Sequence, residues 1–193
     1  YLYDMSGKLK KQITSGKWDV MEFYGFDESS GNYYFQAAFK SPMEKQVFAI
    51  SEKGTKRELS TEQGTNTATF SKNYKYYFIT NSGINSPHKV SLYFWSGKLV
   101  RVIKDNTEVT AAMAKFKLTK PEFFNFTTSE GIVLNGWMIK PTGFSSTKKY
   151  PVIQYMYGGP NSQTVKNEWL GPNYFWFQLL AQKGYLIVSV DNR

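Results

Sequence analysis

Three times within the first 104 residues, an alternating strand runs into a glycine turn and a second, more polar strand. The copies are Leu2-Tyr3-Asp4-Met5-Ser6-Gly7, then Val47-Phe48-Ala49-Ile50-Ser51 leading to Gly54, then Leu92-Tyr93-Phe94-Trp95-Ser96-Gly97. Their glycines lie 47 and 43 residues apart. A further alternating strand precedes the second copy (Tyr33–Ala37) and the third (Tyr76–Thr80), and before those come Met21–Phe26 and Thr67–Phe70. Four short strands in about 45 residues are the period and strand count of a β-propeller blade. Glycine supplies the positive φ that tight hairpins need. Two full blades are expected, roughly 18–60 and 64–104, after a fragment of an earlier blade at 1–15. A closed ring takes at least about four blades, so the chain reads as cut from something longer. A small antiparallel sandwich with coincidental spacing is the plainer alternative.

Beyond residue 104 the rhythm changes. Asp105 or Asn106 is placed to cap a short helix, Glu108–Phe116. Pro121 opens a strand, Glu122–Phe126; Ser129-Glu130-Gly131 turns it, and Ile132–Ile139 returns. Pro141-Thr142-Gly143 breaks that strand. The domain boundary is expected near 118–121, giving domains 1–118 and 119–193. Val152–Tyr157 reads as a buried strand, bounded by Pro151 and by Gly158-Gly159-Pro160. A helix is expected over Tyr174–Lys183, with Phe175, Leu179 and Leu180 on a common face and Gly184 as its stop. Leu186–Val190 is almost continuously apolar, as in a strand of a parallel sheet buried on both faces. Strand, helix, strand with short connections is the start of an α/β layer. The fold class is therefore mainly β with an α/β end.

Composition removes several kinds of chemistry. There is no cysteine, hence no disulfide, thiolate metal site or cysteine nucleophile. The single histidine, His88, excludes a multi-histidine metal cluster. No metal and no organic cofactor is implied. The net charge is +9, but the lysines and arginines are scattered. Their densest spots, Lys8–Lys11, Lys53–Arg57 and Lys148-Lys149, fall at expected turns or strand ends. They read as solvated residues, not a nucleic-acid stripe. The 5 Trp, 14 Tyr and 15 Phe suit packed strands. No run of 18 apolar residues is present, so no membrane span is expected. The chain starts at Tyr1 with no leader pattern, which reads as a processed or cut product.

Tyr157 stands out on local physics. The expected parallel strand ends there, and Gly158, Gly159 and Pro160 force a sharp excursion at the carboxyl edge of the sheet, where α/β proteins bind ligands. The glycines there remove side chains from a space that another group can enter. The residue pattern alone leaves this reading level with a tyrosine packed under a tight turn.

The segment Tyr150–Gln163, with its Tyr157-Gly158-Gly159-Pro160 core and Gly-Pro-x-Ser-Gln ending, resembles the start of the catalytic domain in the prolyl oligopeptidase family of serine peptidases. The ending is most similar to the dipeptidyl peptidase IV branch. Leu180–Arg193 resembles that family's third conserved strand and its Asp-x-Arg turn, Asp191-Asn192-Arg193. Gly16–Val20 and Ala68–Tyr77 are similar to the branch's last propeller blades. The order is also the family's: propeller, linker strands, hydrolase. The resemblance implies a partial β-propeller of about two blades plus a fragment, followed by the N-terminal part of an α/β-hydrolase sheet. It implies Tyr157 as an oxyanion-hole donor beside a backbone N–H.

The parent would be a serine exopeptidase acting on peptides. It would release N-terminal dipeptides with Pro or Ala second, through an acyl-enzyme formed by a Ser-His-Asp triad. The alternatives are another member of the family, an acylaminoacyl or prolyl endopeptidase, and a propeller-derived binding module without catalysis. By resemblance, the parent is extracytoplasmic, periplasmic or secreted. A homodimeric parent is admitted, and its oligomeric state is left open.

The chain contains no Gly-x-Ser-x-Gly. In α/β hydrolases the triad follows this region in the order Ser, acid, His, so the chain alone is expected to be inactive. His88, after Ser86-Pro87, reads as a loop residue between strands of a blade. Asp191 sits at a strand end like a triad acid, but the resemblance assigns it to the Asp-x-Arg turn. Asn125-Phe126-Thr127 is a glycosylation sequon lying within an expected strand.

Overall fold

The computed structural model describes residues 1–160 and 162–192. They form two compact units, one of residues 1–82 and 88–105, the other of residues 83–87 and 106 onward.

The first unit opens with an antiparallel pair, β1 (Leu2–Tyr3) and β2 (Leu9–Lys11). Two four-stranded meanders follow. One is β3 (Val20–Asp27), β4 (Asn32–Ala37), β5 (Gln46–Ser51) and β6 (Lys56–Glu58). The other is β7 (Thr65–Phe70), β8 (Tyr76–Gly83), β9 (Ser86–Phe94) and β10 (Leu99–Lys104). These are the two expected blades, and the fold is mainly β with a β-propeller fragment.

Alternation along β4 and β5 sends apolar side chains to both faces of the first blade. Tyr34, Val47 and Ala49 pack with Leu59 and with Tyr77 and Ile79 of the second blade. Tyr33, Phe35, Ala37, Phe48 and Ile50 pack on the other face, against Ile13, Trp18 and Phe26. A buried asparagine knits the seam between the blades. The Asn66 side-chain N–H groups donate to the carbonyls of Lys45 (3.0 Å) and Glu62 (2.9 Å). Its Oδ1 accepts from Asn81 (3.0 Å), and its backbone carbonyl accepts from Gln36 (2.6 Å). Asn66 is 0% exposed, so each bond offsets a desolvated polar group.

The β7–β8 turn holds Tyr74 in the left-handed region, at φ 52°. Its ring stacks on Tyr34 at 4.9 Å. Its hydroxyl fills the space beside Gly25, itself at φ 138°, where a Cβ would lie 2.1 Å from the phenolic oxygen. The side chain thus occupies a notch that only a glycine leaves open.

The second unit contains α1 (Thr107–Met113), β11 (Glu122–Thr127), β12 (Val133–Ile139), β13 (Val152–Gln154), α2 (Pro172–Gln182) and β14 (Leu186–Val190). Its sheet runs β11-β12-β14-β13. β12 is antiparallel to β11 and β14, whereas β13 and β14 are parallel and joined through α2. A parallel pair needs such a crossover. Residues 83–87, the β8–β9 tip, cluster here: Ile84 donates its N–H to Asn167 Oδ1 (3.0 Å), and Asn85 donates to the Pro121 carbonyl (3.1 Å).

Four local expectations change. Asn106 is the N-cap of α1, but at φ 56° it makes no side-chain capping bond, which requires an extended backbone at that position. The ladder of β13 stops at Gln154, with one more bond from Tyr155 N–H to Val188 O (2.8 Å). Among the described residues the strand is a sheet edge with one neighbour, and residues 155–157 are exposed and do not form a buried strand. β14 buries Ile187 and Ser189 fully but only half-buries the alternate residues, so one face is covered and not both. On α2 the buried residues are Tyr174, Phe177, Gln178 and Ala181, while Phe175, Trp176 and Leu179 are exposed. The buried set follows the i, i+3, i+4, i+7 spacing of one helical face.

Gly25→Ala should destabilise the fold by about 1–3 kcal/mol, because the new methyl meets the Tyr74 hydroxyl and an unfavourable φ together. A lowered urea midpoint with unchanged slope is the expected reading. A second prediction concerns pH. Burial pushes Tyr24 and Tyr77 up to about 12, against about 10 in an unfolded chain. Their contribution is fully present below pH about 10 and lost as pH rises through about 12. Unfolding monitored across that window should show stability falling with each step upward.

Candidate active site

The parallel pair β13–β14 brings two chain exits side by side at their carboxyl ends, the usual ligand position in α/β sheets. From β13 the chain leaves through Tyr155, Met156, Tyr157, Gly158 and Gly159; from β14 it leaves at Asp191. Tyr157 is 66% exposed. Its ring lies over Gly159, where a Cβ would sit 2.7 Å from Cε1 and 3.1 Å from the phenolic oxygen. Glycine at 159 is therefore what lets the ring come down on the backbone. At Gly158 a Cβ would meet only the tip of Met156, at 3.9 Å.

The return of this loop is held by polar groups. The Ser162 hydroxyl donates toward the Tyr157 carbonyl (2.8 Å) and the Gly159 carbonyl (3.1 Å). The Asp191 carboxylate accepts from Thr164 N–H (2.7 Å), Thr164 Oγ1 (2.9 Å) and Val165 N–H (3.1 Å to each oxygen). The Trp137 indole N–H donates to the Thr164 carbonyl (3.1 Å), and Thr164 Oγ1 lies 3.0 Å from Ser189 Oγ. Trp137 itself is fully buried, packed on Phe177 at 5.5 Å.

Asp191 thus grips backbone, with both oxygens engaged. His88 is exposed and lies inside β9, not in a loop, because the β8–β9 turn is only Ile84 and Asn85 and the strand restarts at Ser86. Asn125 lies within β11 and donates to Asn135 Oδ1 (2.5 Å). Asn161 of the Gly-Pro-x-Ser-Gln run and Arg193 of the Asp-x-Arg turn lie outside the described residues. Among the described residues, no group of three or more His, Cys, Asp or Glu is placed to hold a metal ion, and no helix is long and apolar enough to cross a membrane. Sequence reasoning missed Ser162 and Thr164 as loop anchors. The only local signal was a hydroxyl residue soon after the Gly-Gly-Pro turn.

Residues 1–88 match the family described as "Dipeptidyl peptidase IV (DPP IV) N-terminal region". Dipeptidyl peptidase 8 of Mus musculus is 31% identical over 203 residues, covering 98% of this chain and 23% of the relative. A probable dipeptidyl peptidase 4 of Aspergillus flavus is 28% identical over 197 residues, covering 100% of this chain and 26% of the relative. The crystal structure of Porphyromonas gingivalis dipeptidyl peptidase 4 superposes with a TM-score of 0.94 at 39% identity, over 100% of this chain and 27% of that one. The matches support the dipeptidyl peptidase IV family, and the chain spans about a quarter of the length of these relatives.

Trp137→Phe keeps an aromatic ring but leaves the Thr164 carbonyl without its donor. An orphaned part-buried acceptor costs about 1–3 kcal/mol. The expected result is a lower urea midpoint, with the β-sheet circular dichroism of the folded state unchanged.

Proposed function

We propose that this chain is a segment of a serine-type dipeptidyl peptidase. Residues 1–118 are the closing blades of its propeller with their connector, and residues 119–193 are the N-terminal portion of an α/β-hydrolase domain. The parent works outside the cytoplasm, takes peptides as substrates and removes N-terminal dipeptides with Pro or Ala second. It does so through an acyl-enzyme, with no cofactor. Support comes from relatives that are named dipeptidyl peptidases and from the parallel β13–β14 pair joined by a helix.

The observation that carries the reading is Tyr157, exposed beyond the carboxyl end of β13 and seated on Gly159. Attack on a peptide carbonyl places negative charge on the former carbonyl oxygen. In this reading the Tyr157 hydroxyl donates to that oxygen beside a backbone N–H of the parent. A donor aimed at charge that exists only in the transition state lowers the barrier without tightening substrate binding. The nucleophile, acid and base belong to parts of the parent other than this chain, which has no Gly-x-Ser-x-Gly.

The test is Tyr157→Phe in the full-length product of the natural gene, assayed on a chromogenic Gly-Pro dipeptide amide. Loss of one oxyanion donor is expected to lower kcat by about 10² to 10³, or ~3–4 kcal/mol. KM should stay within twofold and the melting temperature should not move. A kcat within twofold of wild type would make Tyr157 a packing residue. Absence of any Gly-Pro amide hydrolysis by the unmutated parent would end the peptidase reading itself.

A further inference from the structure

A hydroxyl that stabilises an oxyanion must be held in place before the reaction, because any reorientation is a cost borne in the transition state. Tyr157 has little packing to hold it: it is two-thirds exposed, and its ring lies over the backbone at Gly159. Its orientation must then come from the loop that carries it. That loop is fixed at its start by the last ladder bond of β13, from Tyr155 to Val188. Beyond that bond, the Ser162 hydroxyl and the Asp191 carboxylate hold it, together with the Trp137 indole N–H on the Thr164 carbonyl.

We propose that Ser162 and Asp191 are positioning residues for Tyr157. The inference rests on the oxyanion role proposed above. The Ser162 hydroxyl has one proton to share between two carbonyls, those of Tyr157 and Gly159. It therefore draws the residue bearing the phenol and the glycine beneath its ring toward a single point. Asp191 acts at the loop's exit. Its carboxylate takes two consecutive backbone N–H groups, of Thr164 and Val165, together with the Thr164 hydroxyl. Val165 is fully buried, so this end of the loop is anchored in the core. Bonds to an ionised acceptor are stronger than neutral ones, which suits a residue that pins a loop at one end while the other end carries a solvent-facing phenol. Both residues act through the backbone of the loop, and neither is assigned a contact with substrate.

A double-mutant cycle in the full-length product separates this role from plain stabilisation. Ser162→Ala and Asp191→Asn are each made alone and together with Tyr157→Phe, and the Gly-Pro amide assay is read as kcat and KM separately. Each single change is expected to lower kcat about tenfold, a partial misplacement short of the roughly 10² that a full 1 Å shift costs, with KM within twofold. In the Tyr157→Phe background neither should cost more than a further twofold. Equal losses in both backgrounds would overturn the proposal, and so would a kcat within twofold of wild type for both single variants. An effect confined to one residue overturns the assignment of the other. Ser162 lies outside the buried core, so if Asp191→Asn does not fold, Ser162→Ala completes the same cycle with the same deciding outcomes. Failure of the oxyanion reading is separately visible: Tyr157→Phe alone would then leave kcat unchanged.

Discussion

A strand that is apolar on both of its faces has no side to give to water. β4 and β5 are such strands, with Tyr34, Val47 and Ala49 on one face and Tyr33, Phe35, Phe48 and Ile50 on the other. The sheet they form is stable only as a middle layer, covered by the second blade on one side and by Ile13, Trp18 and Phe26 on the other. Polar groups caught at the seam must then be satisfied internally, which is why Asn66 bonds to so many partners. The same layer absorbs the left-handed backbone of Tyr74. A non-glycine residue in that region costs about 1–2 kcal/mol. Its stacking on Tyr34, of a kind worth about 0.5–1.5 kcal/mol, offsets much of that.

Where the chain's own pattern carried the information, the sequence was legible. Period-two alternation and glycine turns marked both blades, and the run Leu186–Val190 marked β14 to the residue. Legibility failed where the pattern is degenerate. From Tyr174 to Ala181 every residue but Gln178 is apolar or aromatic, so periodicity could not say which face of α2 is covered. The buried face in fact carries that one amide, paired twice with the backbone of Thr119. Tyr155, Met156 and Tyr157 suit a strand locally, but the ladder of β13 stops at Gln154, and among the described residues β13 has one neighbour. At the site, the exposed Tyr157 was found from its glycine turn. The grip of Asp191 on Thr164 spans 27 residues of sequence and has no local signature.

The region around Tyr157 is organised differently from the blades. Blade geometry comes from interlocked rings; the tyrosine loop is shaped by a missing side chain at Gly159 and by hydrogen bonds to Asp191 and Ser162. Apolar packing is non-directional, whereas hydrogen bonds depend steeply on angle. A surface group that must point in one direction is better served by the second kind of interaction. The buried Trp137 links the two regimes within this unit, with its ring in the core against Phe177 and its N–H on the Thr164 carbonyl.

The sheet order has a consequence for synthesis on the ribosome. β11 and β12 form a local hairpin as soon as both have emerged. Among the described residues β13 pairs with β14 alone, and β14 is made only after the whole of α2. At translation rates of about 5–20 residues per second, β13 waits roughly 2–7 s for its partner. During that interval Val152–Tyr157 and the aromatic run at the start of α2 have no sheet to join. The segment that ends in the tyrosine is thus among the last of this unit to leave the reach of chaperones, and the pace of translation through residues 155–190 sets how long it stays there.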